Sequence, residues 1–381
     1  MTHHSGHMIL SASIAGFGFH PAATGDARHL VQVDYYRRLV QAAERARLDF
    51  VLLDDARALP EGRCHGRLDA LAVLSRLAPE TRSIGLAVSK PTTYSEPFHV
   101  SREVATLDFV SGGRAAWHPG TTASAAEARN FGHDQPLPAA VRHAIAEEFV
   151  AVSRKLWDSW EDDAVIVDRR RGLYIDPHKL HHIDHVGRHF RIRGPQITYR
   201  PPQGHVVVIQ IAGDHDGEPH TAIAADVLIL HDTTLEAARD AYARHQAQAA
   251  SVHHTLRVLQ AVMPVIGATD AAAQARADAL DARAADGDRV RGLRLVGTPA
   301  HIADELVRWF RSGAADGFHL LPAELPADMD EYAGLLVPEL QRRGAFRTEY
   351  AGRTLREHLQ LPRPASQFAG APSEAHTAYH G

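Results

Sequence analysis

Cysteine is nearly missing from this 381-residue chain. Cys64 stands alone, so no internal disulfide can form and a cysteine-rich metal site is excluded. No apolar run approaches the roughly 18 residues that a membrane span requires. Neither sign of charge dominates: 41 Lys and Arg against 46 Asp and Glu leave a formal charge of −5. That balance offers no basic surface for nucleic acid or anionic lipid. The first eight residues are polar and His-rich and do not read as a signal peptide, so a cytoplasmic protein is expected.

What is present is a large apolar fraction, 45% of residues, ample for one extended core. Apolar runs alternate with amphipathic stretches, the pattern of βα units around a parallel sheet. Eight strands are expected, at Met8–Ile14, Phe50–Leu53, Ser83–Val88, Arg114–Trp117, Val206–Ala212, Ala225–Leu230, Val258–Val265 and Gly317–Leu321. Several are continuous runs such as FVLL and VVVIQIA, as buried parallel strands are. Helices fill the intervals, the longest over Ala139–Trp160. The count predicts an α/β fold, a (β/α)8 TIM-type barrel over 8–362, although periodicity alone also fits a doubly wound sheet. Residues 161–205 are charged, His-rich and broken by Gly and Pro, too long for a bare connection. They are expected as an insertion beside the barrel mouth. Residues 1–7 and 363–381 are expected to be flexible tails.

Histidine is frequent, 27 in all, and His178, His181, His182, His185 and His189 cluster in that insertion. Their spacing suits ligands on one helix face, but Pro177 and Gly187 bracket the run. It reads as a solvated loop or as a pH- or metal-responsive one; no metal is expected.

Several blocks, in order along nearly the whole chain, carry a family resemblance. They are GFHPAA (Gly18–Ala23), the stretch Asp34–Asp55 ending in FVLLDD, and TTYSEPFHVSREVATLDFVSGGRAAW (Thr92–Trp117). ARNFG (Ala128–Gly132), KLWDSW (Lys155–Trp160), GRHFRIRGP (Gly187–Pro195) and RPPQG (Arg200–Gly204) follow. Gly297–Pro322 and Val337–Leu359 complete the set. Together they resemble the luciferase-like flavin-dependent monooxygenases, in the branch of the nitrilotriacetate, long-chain alkane and dibenzothiophene-sulfone enzymes. The resemblance implies a barrel with its chemistry at the C-terminal strand ends. It also implies reduced FMN from a separate flavin reductase, dioxygen, and a peroxyflavin that oxygenates a small or medium organic substrate. A homodimer or homotetramer is implied as well.

On the same resemblance, Asp55 matches a carboxylate near the flavin, although it also suits an N-cap. Thr92 and Thr93 match hydroxyl residues at a polar flavin edge, or a simple turn. Thr121 and Thr122 match hydroxyls that reach a phosphate or ribityl oxygen. His20 and His118 are the catalytic candidates: His20 matches a family histidine, and His118 replaces an asparagine. His143 stands where relatives carry a tyrosine on the phosphate.

Two departures bear on function. Ala123 occupies the position of a catalytic histidine of the alkane enzymes, and alanine offers no hydrogen bond. In IAGDHDG (Ile211–Gly217), Asp214 and His215 occupy a turn where relatives carry serines toward the phosphate. Two readings follow beside each other: an FMNH2-dependent monooxygenase of a two-component system, or a barrel with a degenerate cofactor pocket and an accessory, binding or cofactor-independent role. A deazaflavin-dependent oxidoreductase is a third.

Overall fold

A computed structural model describes residues 6–55, 57–59, 66–212, 225–285, 290 and 292–369. Eight strands close into a parallel barrel: β1 (Ile9–Ser13), β2 (Phe50–Leu53), β3 (Gly85–Ser89), β4 (Ala115–His118), β5 (Val207–Ile211), β6 (Val227–Leu230), β7 (Arg257–Ile266) and β8 (Gly317–Leu320). Each pairs with its sequence neighbour, and Ile9↔Gly317 closes β1 onto β8. The TIM-type expectation holds, and the doubly wound alternative does not. Side chains alternate between the barrel interior and the helix layer, and both sides are dry, so the strands read as unbroken apolar runs.

The helices that shape the mouth are α1 (Val33–Arg45), α2 (Ala70–Leu77), α3 (Pro97–Ser111) and α4 (Ala139–Asp158). They are followed by α5 (Leu235–Ser251), α6 (Asp270–Asp281) and α7 (Pro299–Arg311). The start of α2 is set by Asp69, whose carboxylate accepts from the Ala72 N–H at 2.8 Å. One strand was not expected. β7 runs past the end of β8, and Leu293–Gly297 pairs in parallel with the overhanging half, from Val262↔Leu293 to Ile266↔Gly297. An edge strand satisfies the backbone groups that the overhang would otherwise leave open.

The insertion forms two small hairpins, Val165–Asp168 with Leu173–Ile175 and His185–Val186 with Arg191–Ile192. It was expected beside the mouth; its anchors lie along α4. His185 and the backbone N–H groups of His189 and Phe190 all bond Glu148, at 3.0 Å. Trp160 Nε1 donates to the Gln196 carbonyl at 2.7 Å. The physical reason is connectivity: the chain leaves α4 at its C-terminal end, which in a βα barrel faces away from the mouth. His181 pairs with Glu161 at 2.8 Å and His182 with the Gly194 carbonyl at 2.8 Å. Among the described residues no His, Cys, Asp and Glu group is arranged to hold a metal.

At the end opposite the mouth, the RPPQG block and the C-terminal segment lock together. Gln203 donates to Asp108 at 2.6 Å and accepts the Arg356 N–H at 3.0 Å. Arg356 grips Asp226 through two bonds of 3.1 and 3.0 Å and also donates to the His205 carbonyl. Burial would raise the Asp226 carboxyl; the guanidiniums of Arg356 and Arg154 outweigh it and hold the group below the ordinary carboxylate range. Inside the barrel, His319 of β8 bonds Ser11 at 2.8 Å and Ser13 at 2.9 Å, both on β1.

Two outcomes follow. Arg356→Met strands a buried carboxylate and lowers stability by about 3–5 kcal/mol in urea unfolding, whereas Arg356→Lys, which keeps the charge but not the planar fork, costs less. The second concerns acid. Burial, reinforced by His231 and His118, pushes the His319 imidazole down to about 3. The unfolded chain, with an ordinary histidine near 6.5, takes up the proton first as pH falls. This ring therefore removes stability below pH ~6.5, at about 1.4 kcal/mol per pH unit until its folded pKa is reached. Between pH 6 and 4 the urea midpoint of the wild type is expected to fall more steeply than that of His319→Asn.

Candidate active site

Two adjoining cavities open at the C-terminal ends of the strands. An inner one, about 350 Å³, lies over the barrel interior between Ser13, Ile211, Ile229, Met263 and His319. A side one, about 520 Å³, lies between the segments that follow β2, β3 and β4. Asp54 and Arg67 line both. A third cavity, about 490 Å³, sits at the opposite end among Ile9, Arg257, Arg347 and His358; none of the residues singled out in the sequence lines it. The mouth is where βα loops converge, and the site is built there.

The side cavity depends on a clamp between two segments. The Thr92 N–H donates to the Gly120 carbonyl at 2.9 Å, and the Thr92 hydroxyl donates to the same oxygen at 3.3 Å. The Thr122 N–H donates to the Thr93 hydroxyl at 2.9 Å. Thr92 and Thr93 thus spend their hydroxyls on tying the segment after β3 to the segment after β4. Thr121 and Thr122 do the reverse. Their hydroxyl oxygens are buried and have no hydrogen-bond partner among the described residues. Leaving such a group unmatched costs about 1–3 kcal/mol, which a bound polar ligand would relieve.

His118, the last residue of β4, donates from Nδ1 to the Ile209 carbonyl at 3.0 Å. A carbonyl only accepts, so the proton is on Nδ1. The ring borders the side cavity beside Gly120, where an added Cβ would come within 3.3 Å of His118 Nε2. Glycine at 120 keeps that space. Asp55 is half-buried in the same cavity. Burial, with Asp69 and Asp54 nearby, raises its carboxyl above the ordinary range against the pull of Lys90 and Arg57. The cap of α2 is Asp69, so Asp55 is not spent on that helix.

His20 is placed differently. Its Nδ1 accepts the Ala22 N–H at 3.1 Å, and Nε2 faces Asp281 at 3.1 Å. Asp281 is also held by Arg294 at 2.9 Å. His20 is 1% exposed and borders neither mouth cavity. Nε2 ties the segment after β1 to the end of α6, and Nδ1 is engaged within that segment. His143 lies half-buried in the first turns of α4, next to Arg142. Arg142 is buried and donates to the Leu137 carbonyl; burial pulls its guanidinium down, and Tyr94 opposes the shift. Asp214 and His215 lie outside the described residues.

Two sets of residues escaped the sequence reading. Tyr94 stacks between Phe131 and His133, at 5.0 and 4.9 Å, with its buried hydroxyl unpartnered among the described residues. Its place directly after Thr92-Thr93 was the available signal. The Ser11–His319–Ser13 group carried none, because the two serines lie about three hundred residues from the histidine.

Comparison with known proteins agrees with this layout. The luciferase-like monooxygenase family profile matches residues 14–316. N-acetyl-S-(2-succino)cysteine monooxygenase of Bacillus subtilis (strain 168) is 32% identical over 97% of this chain and 100% of its own. Nitrilotriacetate monooxygenase component A of Aminobacter aminovorans is 34% identical over 88% of this chain and 92% of its own. Among solved structures, EDTA monooxygenase (EmoA) from Chelativorans sp. BNC1 superposes with a TM-score of 0.84 at 25% identity, covering 94% of this chain and 99% of that one. A barrel closed in this order, with hydroxyl-bearing segments after β3 and β4 and whole-length relatives of one kind, places the chain in the luciferase-like monooxygenase family.

Proposed function

We propose that this protein is the oxygenase component of a two-component system. It takes reduced FMN from a separate flavin reductase and uses dioxygen to oxygenate a small or medium organic molecule. The observation that carries the reading is the pair of buried hydroxyls, unpartnered among the described residues, at Thr121, which lines the side cavity, and at its neighbour Thr122. They suit the phosphate or ribityl oxygens of FMN, and a volume of about 520 Å³ lies within the range of ligand pockets.

Bound reduced flavin supplies the electrons and activates dioxygen. The protein does the rest. Thr92 and Thr93 fix the two segments so that Thr121 and Thr122 hold their positions. Asp55, with its raised carboxyl, is a proton-sharing group at the rim of the cavity. His118, with its proton fixed on Nδ1, presents a preset ring edge. The inner cavity, walled in part by Ile211, Ile229, Met263 and Leu321, limits water around the reacting atoms. The degenerate-pocket alternative rests on Ala123, His143 and Asp214; the unspent hydroxyls and the whole-length relatives favour the oxygenase.

A cytoplasmic homodimer or homotetramer is part of the same proposal. Among the described residues, no helix is long and apolar enough to cross a membrane. Exposed Val167, Tyr174, Val186 and Ile197 on the two hairpins and the segment after them are an apolar surface that assembly would cover. Sedimentation velocity is expected to give a mass above that of one 41.6 kDa chain, and a monomer at micromolar concentration would refute assembly.

Flavin binding is the direct check. FMN titrated into the protein is expected to quench in a saturable way. Thr121→Val and Thr122→Val should each weaken binding by about tenfold while leaving the free protein as stable or more so, since each removes an unmatched buried hydroxyl. No saturable binding to millimolar FMN, oxidised or reduced, would overturn the reading.

A further inference from the structure

The inner cavity has its own polar device, separate from the threonine segments. Ser11 and Ser13 lie two residues apart on β1, so both face the barrel interior. His319 enters from β8 in register with Ser11 and places Nδ1 2.8 Å from the Ser11 hydroxyl and Nε2 2.9 Å from the Ser13 hydroxyl. The ring lies over Phe50, with centroids 6.1 Å apart. Ser11 is fully buried, Ser13 is 5% exposed and His319 2%. Ser13 and His319 line the cavity, whereas Ser11 lies beneath it.

A neutral imidazole has one N–H and one bare nitrogen, so one serine must donate to the ring and the other must accept from it. Ser11 makes no other side-chain hydrogen bond among the described residues. If it accepted from Nδ1, its own O–H would be left buried without an acceptor. The favoured arrangement therefore has Ser11 donating to Nδ1 and Nε2–H donating to Ser13. Ser13, its lone pair engaged, keeps its O–H for the cavity. Burial pushes the imidazole down to about 3, so the ring stays neutral across the physiological range. The rest of the wall is mixed: Ala15, Phe19, Ile211, Ile229, Met263 and Leu321 are apolar, and Asp54, Arg67 and His231 are polar. Its volume, about 350 Å³, is at the small end of ligand pockets, which span roughly 300–1,000 Å³.

We propose that Ser13 is a preset hydrogen-bond donor to a ligand in the inner cavity, that His319 and Ser11 are its positioning residues, and that the ligand is a compact molecule whose acceptor oxygen lies over Ser13. Naming this ligand the substrate rests on the oxygenase reading; the donor itself does not.

Two probes of similar shape separate the terms: methyl phenyl sulfone, which carries acceptor oxygens, and cumene, which carries none. Binding of each to the full chain is measured by ligand-observed NMR. The wild type is expected to prefer the sulfone by about tenfold. Ser13→Ala should abolish the preference and leave cumene affinity unchanged. Ser11→Ala, which does not alter the cavity wall, should reduce the preference because Nδ1 can then carry the proton and Ser13 can turn to donate to Nε2. In the wild type, ¹⁵N shifts of His319 should show Nε2 protonated and Nδ1 bare. An unchanged preference in Ser13→Ala, binding of neither probe, or a proton on Nδ1 would each overturn the proposal. FMN titration of Ser13→Ala is run in parallel and should match the wild type. A wild type that binds the sulfone but no FMN would sink the oxygenase reading and leave the donor intact.

Discussion

The site depends on two short hydrogen-bonded bridges between neighbouring segments, Thr92 N–H to the Gly120 carbonyl and Thr122 N–H to the Thr93 hydroxyl, at 2.9 Å each. The barrel brings β3 and β4 side by side, but parallel pairing ends at Ser89↔His118. Beyond that point the backbone has no ladder to follow. The threonines after β3 take over and bond the segment after β4, where the Thr121 and Thr122 hydroxyls stay buried without a partner among the described residues. A free protein that tolerates this pays in stability for a place where a polar ligand is recognised, a common arrangement at binding sites.

The same division of labour runs through the rest of the barrel. The end opposite the mouth holds several tightly paired groups: Arg356 with Asp226, Gln203 with Asp108, and Arg200 with Asp158 at 2.9 Å. These pairs lie largely in the RPPQG and C-terminal blocks, so that part of the family resemblance is one of scaffold. At the mouth, the Thr121 and Thr122 hydroxyls are buried without a partner among the described residues. The inner cavity adds the Ser11–His319–Ser13 group, so the two cavities differ in the polar groups they present.

The barrel was legible because buried parallel strands leave continuous apolar runs, and eight of them stood at βα spacing. Leu293–Gly297 was not, because its sequence, LRLVG, gains its strand partner only from the overhang of β7. The sequence singled out Asp55, Thr92, Thr93, His118, Thr121 and Thr122, which the fold brings to the ends of β2, β3 and β4, yet their partners were not legible. Thr92 and Thr93 proved to be clamps because of where Gly120 and Thr122 fall in space. His20 matched a family histidine, but Asp281 and the Ala22 N–H engage both of its nitrogens. The insertion was recognised by its length and composition, while its packing along α4 depended on Glu148, a residue that in sequence is only one more helical charge.

The account stands on Thr121 and Thr122 being hydroxyls kept in reserve for a phosphorylated flavin. A crystal structure of the protein soaked with FMN measures this directly. The expected result is a phosphate or ribityl oxygen within hydrogen-bond distance of one or both threonine hydroxyls, with the Thr92–Gly120 and Thr93–Thr122 bridges unchanged. FMN bound elsewhere, or both hydroxyls bonded only to protein groups in its presence, would contradict it.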